Sequence, residues 1–361
     1  MKVLHVINDL RVGGAEKLLL DSLPLYKKNG IDSDLLLIKD ANSSFRDALN
    51  NKINIYTLTK NSIYNPFLIF KIIPFLRKYD LVHVHLFPSH YWIVLAKILS
   101  FCNTPIVFTE HSTSNNRRKN KYLNWLDKLM YYYLSHIVCI SEEAKNSLSK
   151  YLGTDSKISV IENGINLELY NSKNVKDKAK EFDFFDKNDI KLIQVSGFKN
   201  PKDHTTLIRS LEHLPHHVKL ILVGDGYLLN DTKLLVNNLK LNDRVLFLGN
   251  RLDIPELVNY ADIVILSSLY EGLPLALLEG MAAHKPVIAS SVPGNIDLVK
   301  EVGLLFTPKD SKDLAKNVKK LMDVNYYTII ADKCLDKAQE YSIEKMISNY
   351  ISIYNNCISN E

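Results

Sequence analysis

The stretch Ser267-Ser268-Leu269-Tyr270-Glu271-Gly272-Leu273-Pro274-Leu275-Ala276-Leu277-Leu278-Glu279 decides how this chain is read. It follows an apolar run at 263–267 of the kind that forms a buried strand, breaks at Gly272 and Pro274, and continues in good helix formers to about Ala283. Strand, tight turn and helix in that order make half of a βαβ unit. Pro274 suits a first helical turn, where a missing N–H is no loss, and the amides of Gly272, Leu273 and Leu275 are then available to an anion. Glu271 stands at the mouth of the loop. Glu279 lies about a turn and a half past Pro274, so both carboxylates can face one crevice at different depths.

A carboxylate beside a bound phosphate is repulsive unless it accepts hydrogen bonds from hydroxyls, which a sugar or a ribose offers in pairs. The combination suits a nucleotide-sugar. The competing reading has Glu271 capping the helix and Glu279 solvated on its outer face.

Outward from this segment, β-rich runs alternate with helical patterns. Strands are expected at 3–7, 34–38, 53–57, 81–85, 105–109, 136–140 and 157–161, and again at 190–196, 218–223, 244–248, 263–267 and 286–289. The polar stretch 171–189, rich in Lys, Asp and Asn, separates the two series. The fold class is therefore α/β, with two facing Rossmann-like domains at 1–170 and 190–342, a linker at 171–189 and a cleft at the carboxyl ends of the strands. Segments 313–322 and 343–353 have helical periodicity with no strand after them, and the last helix can pack on either domain.

Composition agrees with two ordinary domains: 361 residues, 46% hydrophobic and 24% charged, which excludes disorder and small disulfide scaffolds. Lys and Arg number 45 against 40 Asp and Glu, and the resulting net +5 leans towards phosphates or an anionic membrane surface. The four cysteines are dispersed with no CxxC pair, as expected for reduced thiols in a cytoplasm, and no structural metal is indicated. The apolar start at 3–7 is too short for a signal-peptide core, and the run 91–101, broken by Lys97, is too short to cross a bilayer. No nucleic-acid recognition motif or continuous basic face is present.

Other strand ends carry candidate chemistry. Gly13-Gly14-Ala15-Glu16 leads into a helix, where glycines allow a ligand to approach the backbone. Ser196-Gly197-Phe198-Lys199-Asn200-Pro201-Lys202-Asp203-His204 places Lys202 just before a helix, within reach of a diphosphate held by helix amides. Val223-Gly224-Asp225-Gly226 lacks the third glycine of the dinucleotide fingerprint. His83 and His85 point to one side of a strand; with no third ligand in view they read as core histidines or as groups near the cleft. His111 follows a buried strand and reads either as a site residue or as a partner for a neighbouring loop.

These segments together resemble the retaining, family-four-type glycosyltransferases with the two-domain B-type fold. The most specific part is Glu271 to Glu279 with Met281-Ala282-Ala283 and Lys285-Pro286-Val287-Ile288-Ala289 after it. Gly13-Gly14-Ala15-Glu16, Val82-His83-Val84-His85, Thr109-Glu110-His111-Ser112, Ile161-Glu162-Asn163-Gly164-Ile165 and Lys202-Asp203 resemble further family landmarks in order and spacing. The resemblance implies that the first domain takes the acceptor, the second binds a nucleotide-sugar, and the closing helix, about 343–361, packs back on the first. It implies that Glu271 holds hydroxyls of the donor sugar and Glu279 the ribose diol. Lys202 with Gly272, Leu273, Pro274 and Leu275 would hold the diphosphate, covered by Gly13 and Gly14. His111 would approach the transferring sugar, and Gly249-Asn250-Arg251-Leu252 would form the edge of the base site.

The activity so implied is retaining transfer of a hexose or N-acetylhexosamine from a UDP-sugar or similar donor to a saccharide or lipid-linked saccharide in bacterial surface polysaccharide synthesis. The donor is a substrate, so no cofactor is expected, and no metal. Catalysis falls to Glu271, His111 and Lys202. One departure is that many members carry an Arg four to six residues before the Lys, where this chain has Ser196-Gly197-Phe198; Lys199 or Arg251 is then left to assist Lys202. A basic cluster, Arg117, Arg118, Lys119 and Lys121, feeds an aromatic amphipathic segment containing Trp125, a pattern suited to the inner face of the cytoplasmic membrane. A nucleotide-sugar epimerase of the same fold and a non-catalytic nucleotide-sugar binding protein are the alternative readings.

Overall fold

The computed structural model of the chain describes residues 1–11, 13–41, 43–111, 124–171 and 182–359. The chain divides into two compact units, Met1–Gly164 with Ile343–Glu361, and Ile165–Ser342.

The first unit is a seven-stranded sheet of β1 (Lys2–Ile7), β2 (Asp32–Lys39), β3 (Ile55–Thr59), β4 (Leu81–His85), β5 (Ile106–Glu110), β6 (His136–Cys139) and β7 (Ile158–Val160). Their order is β3-β2-β1-β4-β5-β6-β7, and every neighbouring pair is parallel. Strands covered on both faces must be apolar on both, and β1 shows it: Leu4 and Val6 belong to one buried cluster, Val3 and Ile7 to the other. The helix Gly14–Lys28 lays Leu18, Leu19, Leu23 and Tyr26 against the second cluster, and the closing helix Ile343–Ser359 adds Met346, Ile347, Tyr350 and Tyr354.

The second unit is a six-stranded sheet of β8 (Ile190–Val195), β9 (Val218–Val223), β10 (Val245–Phe247), β11 (Ile263–Leu266), β12 (Val287–Ser290) and β13 (Leu304–Phe306), in the order β10-β9-β8-β11-β12-β13, again all parallel. β13 is absent from the expected strands, because three residues after Gly303 are too short to show a period.

The division between units falls at Gly164 and Ile165, ahead of the expected linker at 171–189. Burial is the reason. Tyr170 and Phe182 lie in the core of the second unit, Phe185 packs against that core, and Asp189 pairs with Lys219 at 2.8 Å. Polar composition at 171–189 concealed these anchors.

In the second unit the helix Leu275–Ala282 lies close on β11. A Cβ at Gly280 would stand 2.7 Å from the Val264 side chain, so glycine sets how near the helix sits and how deep its neighbour Glu279 is placed. We expect Gly280→Ala to lower stability by about 1 kcal/mol in urea titration, overpacking outweighing the helix propensity that alanine gains. An increase in stability would contradict this packing.

The first sheet also buries imidazoles. Burial lowers His5 to about 3 and His111 to about 4, and burial together with neighbouring imidazoles holds His83 and His85 well below 6.5. These groups are neutral in the folded state, whereas the unfolded chain takes up protons near pH 6.5. Their contribution is therefore complete above about pH 6.5 and is lost as pH falls towards 4, at about 1.4 kcal/mol per pH unit for each imidazole. Urea midpoints should drop between pH 6.5 and 5, before carboxylates titrate; a flat profile there would refute the buried neutral cluster.

Candidate functional site

Strand order in the second sheet reverses between β8 and β11, so the loops leaving their carboxyl ends diverge, which is where open parallel sheets take ligands. The loop after β8 carries Lys202 and the loop after β11 carries Glu271. Backbone hydrogen bonds tie them: Asp203 N donates to Ser267 O at 3.0 Å and Leu269 N to Pro201 O at 2.9 Å, with an isolated antiparallel bridge pairing Lys202 and Ser268. Asp203 also caps the helix His204–Ser210 by accepting from Thr206 N at 3.1 Å, which fixes the residue beside Lys202.

As a result, two donors converge on Glu271 Oε1. Lys202 Nζ forms an ion pair with it, and Ser268 Oγ donates to it at 2.5 Å. The Lys202 and Glu271 side chains are 19% and 12% exposed. Glu271 is thus neither solvated nor a helix cap. The loop after β12 braces this arrangement from behind: Gly294 adopts φ +81°, and a Cβ there would stand 1.9 Å from the carbonyl oxygen of Gly272. Asn295 Nδ2 donates to Ser290 O at 3.0 Å, and Ser290 Oγ donates to Ser268 O at 2.6 Å.

Glu279 is buried in the helix Leu275–Ala282 and accepts a hydrogen bond from Tyr170 Oη at 2.8 Å, which overturns the reading of a carboxylate on an outer solvated face. Pro274 is the residue before that helix, one position earlier than its expected place inside the first turn, and no side chain caps the helix start. Gly272, Leu273 and Leu275 are half-buried around it. Arg251 belongs to the second unit. It lies beyond β10, at the far edge of the sheet from β11, and its guanidinium is held in a two-point pair with Asp253 at 2.7 and 2.6 Å.

In the first unit, Gly13 precedes the helix Gly14–Lys28 in extended conformation, and Glu16 folds its carboxylate back to within 2.3 Å of where a Gly13 Cβ would be. An anion at this turn would first displace Glu16. His83 and His85 gain a third imidazole that the sequence did not reveal: His5 lies beside His83 in the β1–β4 register, and the ligand atoms of the three lie within 4.8 Å of one another. His111, next to the end of β5, lies with Nε2 3.3 Å from His85 Nδ1. Arg117, Arg118, Lys119 and Lys121 lie outside the described residues, while Trp125 is 67% exposed.

Four contributors escaped sequence reasoning: Ser268, Tyr170, Gly294 and His5. Gly294 left a signal, since Pro293-Gly294-Asn295 marks a turn after a strand. The others depend on pairings between distant segments.

Comparison with known proteins accords with this architecture. Residues 175–342 match the family described as glycosyl transferases group 1, and residues 12–169 match glycosyltransferase family 4. The chain is 30% identical over 305 residues to the UDP-Gal:alpha-D-GlcNAc-diphosphoundecaprenol alpha-1,3-galactosyltransferase of Escherichia coli, covering 79% of this chain and 77% of that one. It is 28% identical to the N-acetyl-alpha-D-glucosaminyl L-malate synthase of Bacillus anthracis, over 76% and 74% of the two chains. Among solved structures, Anabaena HepE in complex with UDP and glucose superimposes with a TM-score of 0.86 at 22% identity, over 99% of this chain and 100% of that one. Two parallel-sheet units, their strand-end loops and matches along both halves lead to one conclusion: the chain belongs to the family 4, group 1 glycosyltransferases and has their two-domain B-type fold.

Proposed function

We propose that this glycosyltransferase moves a hexose or N-acetylhexosamine from a UDP-sugar to a lipid-linked saccharide in bacterial surface polysaccharide synthesis, with retention at the anomeric carbon and without a metal. The observation that carries the reading is the convergence of Lys202 and Ser268 on Glu271 at the strand-order reversal. The uridine nucleotide is supported by the complex of HepE with UDP and glucose, and a lipid diphosphate acceptor by the name of the Escherichia coli relative.

In this account the diphosphate takes Lys202 Nζ from Glu271. The amides of Gly272, Leu273 and Leu275, in the segment ending at Pro274, complete the anion seat. Glu271, released from its cation, accepts hydroxyls of the donor sugar, and Glu279, held by Tyr170, accepts the ribose diol. As the bond from the anomeric carbon to the phosphate oxygen breaks, charge grows on the leaving group, where Lys202 and the amides are already fixed. The acceptor oxygen bonds to the same face of that carbon, and its proton passes to the departing phosphate. Glu271 positions and does not attack. In the first unit, His111 and the turn Gly13-Gly14 are the groups this reading assigns to the reaction.

A UDP-sugar panel followed by thermal shift and product analysis tests this. One responding donor, hydrolysed slowly alone and transferred when acceptor is present, is the expected result; interconversion of free donor would indicate the epimerase, and binding with neither reaction a non-catalytic protein. Lys202→Ala and Glu271→Gln should each reduce transfer about 10²–10³-fold. Glu279→Gln should act chiefly on donor KM, by about tenfold, because a ribose contact is shared by ground and transition states. Unchanged transfer in Lys202→Ala would remove the site assignment.

Exposed apolar side chains in the first unit are in keeping with a membrane-borne acceptor. Phe67 and Phe70, at the helix Leu68–Leu76, Leu99 and Phe101, at the helix Ser89–Ser100, and Trp125 and Tyr132, on the helix Asn124–Tyr132, are all exposed, Phe101 to 93%. No helix among the described residues is long and apolar enough to cross a membrane. Phe101→Asp with Trp125→Ala, and separately Arg117→Ala with Arg118→Ala and Lys119→Ala, should each cut recovery in flotation with phosphatidylglycerol vesicles several-fold. Equal recovery for all would discard membrane docking.

A further inference from the structure

A row of three imidazoles runs through the first unit. His5 Nδ1 lies 3.3 Å from His85 Nε2, and His85 Nδ1 lies 3.3 Å from His111 Nε2. β1 carries the first, the end of β4 the second, and the residue after β5 the third, and these strands are adjacent where the order of the first sheet reverses. His83 stands beside the row without joining it. Its Nδ1 meets Tyr354 Oη and its Nε2 meets Thr109 Oγ1, both at 2.7 Å. Both ring nitrogens of His83 are thus engaged by Tyr354 and Thr109, which leaves no spare nitrogen on His83 for a metal.

A neutral imidazole donates through one nitrogen and accepts through the other. Burial keeps these rings neutral, lowering His5 to about 3, His111 to about 4 and His85 well below 6.5. All links in the row must then run in one direction. His5 Nε2 is buried with no hydrogen-bond partner. If the row donated inwards, that atom would carry an orphaned N–H; if it donates outwards, the atom keeps only a bare lone pair. Orphaned buried donors are the rarer case. The row therefore runs from His5 Nδ1–H to His85 Nε2 and from His85 Nδ1–H to His111 Nε2. His111 is left with its proton on Nδ1, which makes no hydrogen bond to a described residue.

We propose that His5 and His85 are positioning residues that lock His111 in its Nδ1–H tautomer, so that in glycosyl transfer His111 offers a hydrogen-bond donor and not a proton acceptor. The role in transfer rests on the function proposed above; the tautomer does not.

Long-range ¹H–¹⁵N correlation spectra of the histidine rings in the full chain at pH 7.5 read the tautomer directly. The expected spectrum shows a protonated Nδ1 and an unprotonated Nε2 for both His85 and His111. In His5→Leu the His111 signals should move towards the mixed tautomers of free imidazole. His5→Asn, whose amide donor stands where Nδ1 stood, should restore the wild-type pattern. Should the leucine variant fail to fold, the wild-type spectrum decides alone: an Nε2–H or averaged His111 overturns the proposal. Hydrolysis of the UDP-sugar that responds in the panel supplies the second readout. His111→Asn keeps a donor at the Nδ1 position and should outperform His111→Gln at least tenfold. Equal rates beside an intact wild-type tautomer would overturn the role in transfer while leaving the row itself standing, which separates the two failures.

Discussion

A parallel sheet whose strand order reverses leaves two neighbouring strands with loops departing to opposite sides, and the second unit depends on what is placed at that point. β8 and β11 are the two strands, and their loops bring a lysine and a glutamate from distant parts of the chain onto one carboxylate oxygen. Removing a paired charge from partly buried surroundings strands its partner, so the pair persists until a ligand offers each group a better one. In the proposed function a nucleotide-sugar would do so with one molecule, presenting phosphate to the cation and hydroxyls to the carboxylate. The surrounding structure serves this contact: Gly294 admits the third loop, Asp203 caps the helix beside Lys202, and Gly280 lets the helix bearing Glu279 sit close to β11.

The first unit repeats the topology with different chemistry. Its reversal lies between β1 and β4, and the side chains there are buried neutral imidazoles. Charge is exposed to exchange in one unit and excluded in the other.

Much of this was legible from residue order. Apolar runs of strand length alternating with helical patterns announced two parallel sheets, and Gly272 with Pro274 between an apolar strand and a helix of good formers marked the loop that carries Glu271. What was not legible has a common cause. Ser268 becomes a ligand of Glu271 only through the backbone pairing of its loop with Lys202, and Tyr170 reaches Glu279 only because a short helix, Leu167–Tyr170, joins the second core. His5 stands beside His83 because β1 and β4 are neighbours, a fact of topology that no local window contains.

The central claim is that a nucleotide diphosphate competes with Glu271 for Lys202. Calorimetric titration of UDP into the wild-type chain and into Glu271→Gln tests it most directly, since the substitution removes both the competing partner and a negative charge beside the phosphates. The account predicts tighter UDP binding to the variant, by about tenfold; unchanged or weaker binding would contradict it.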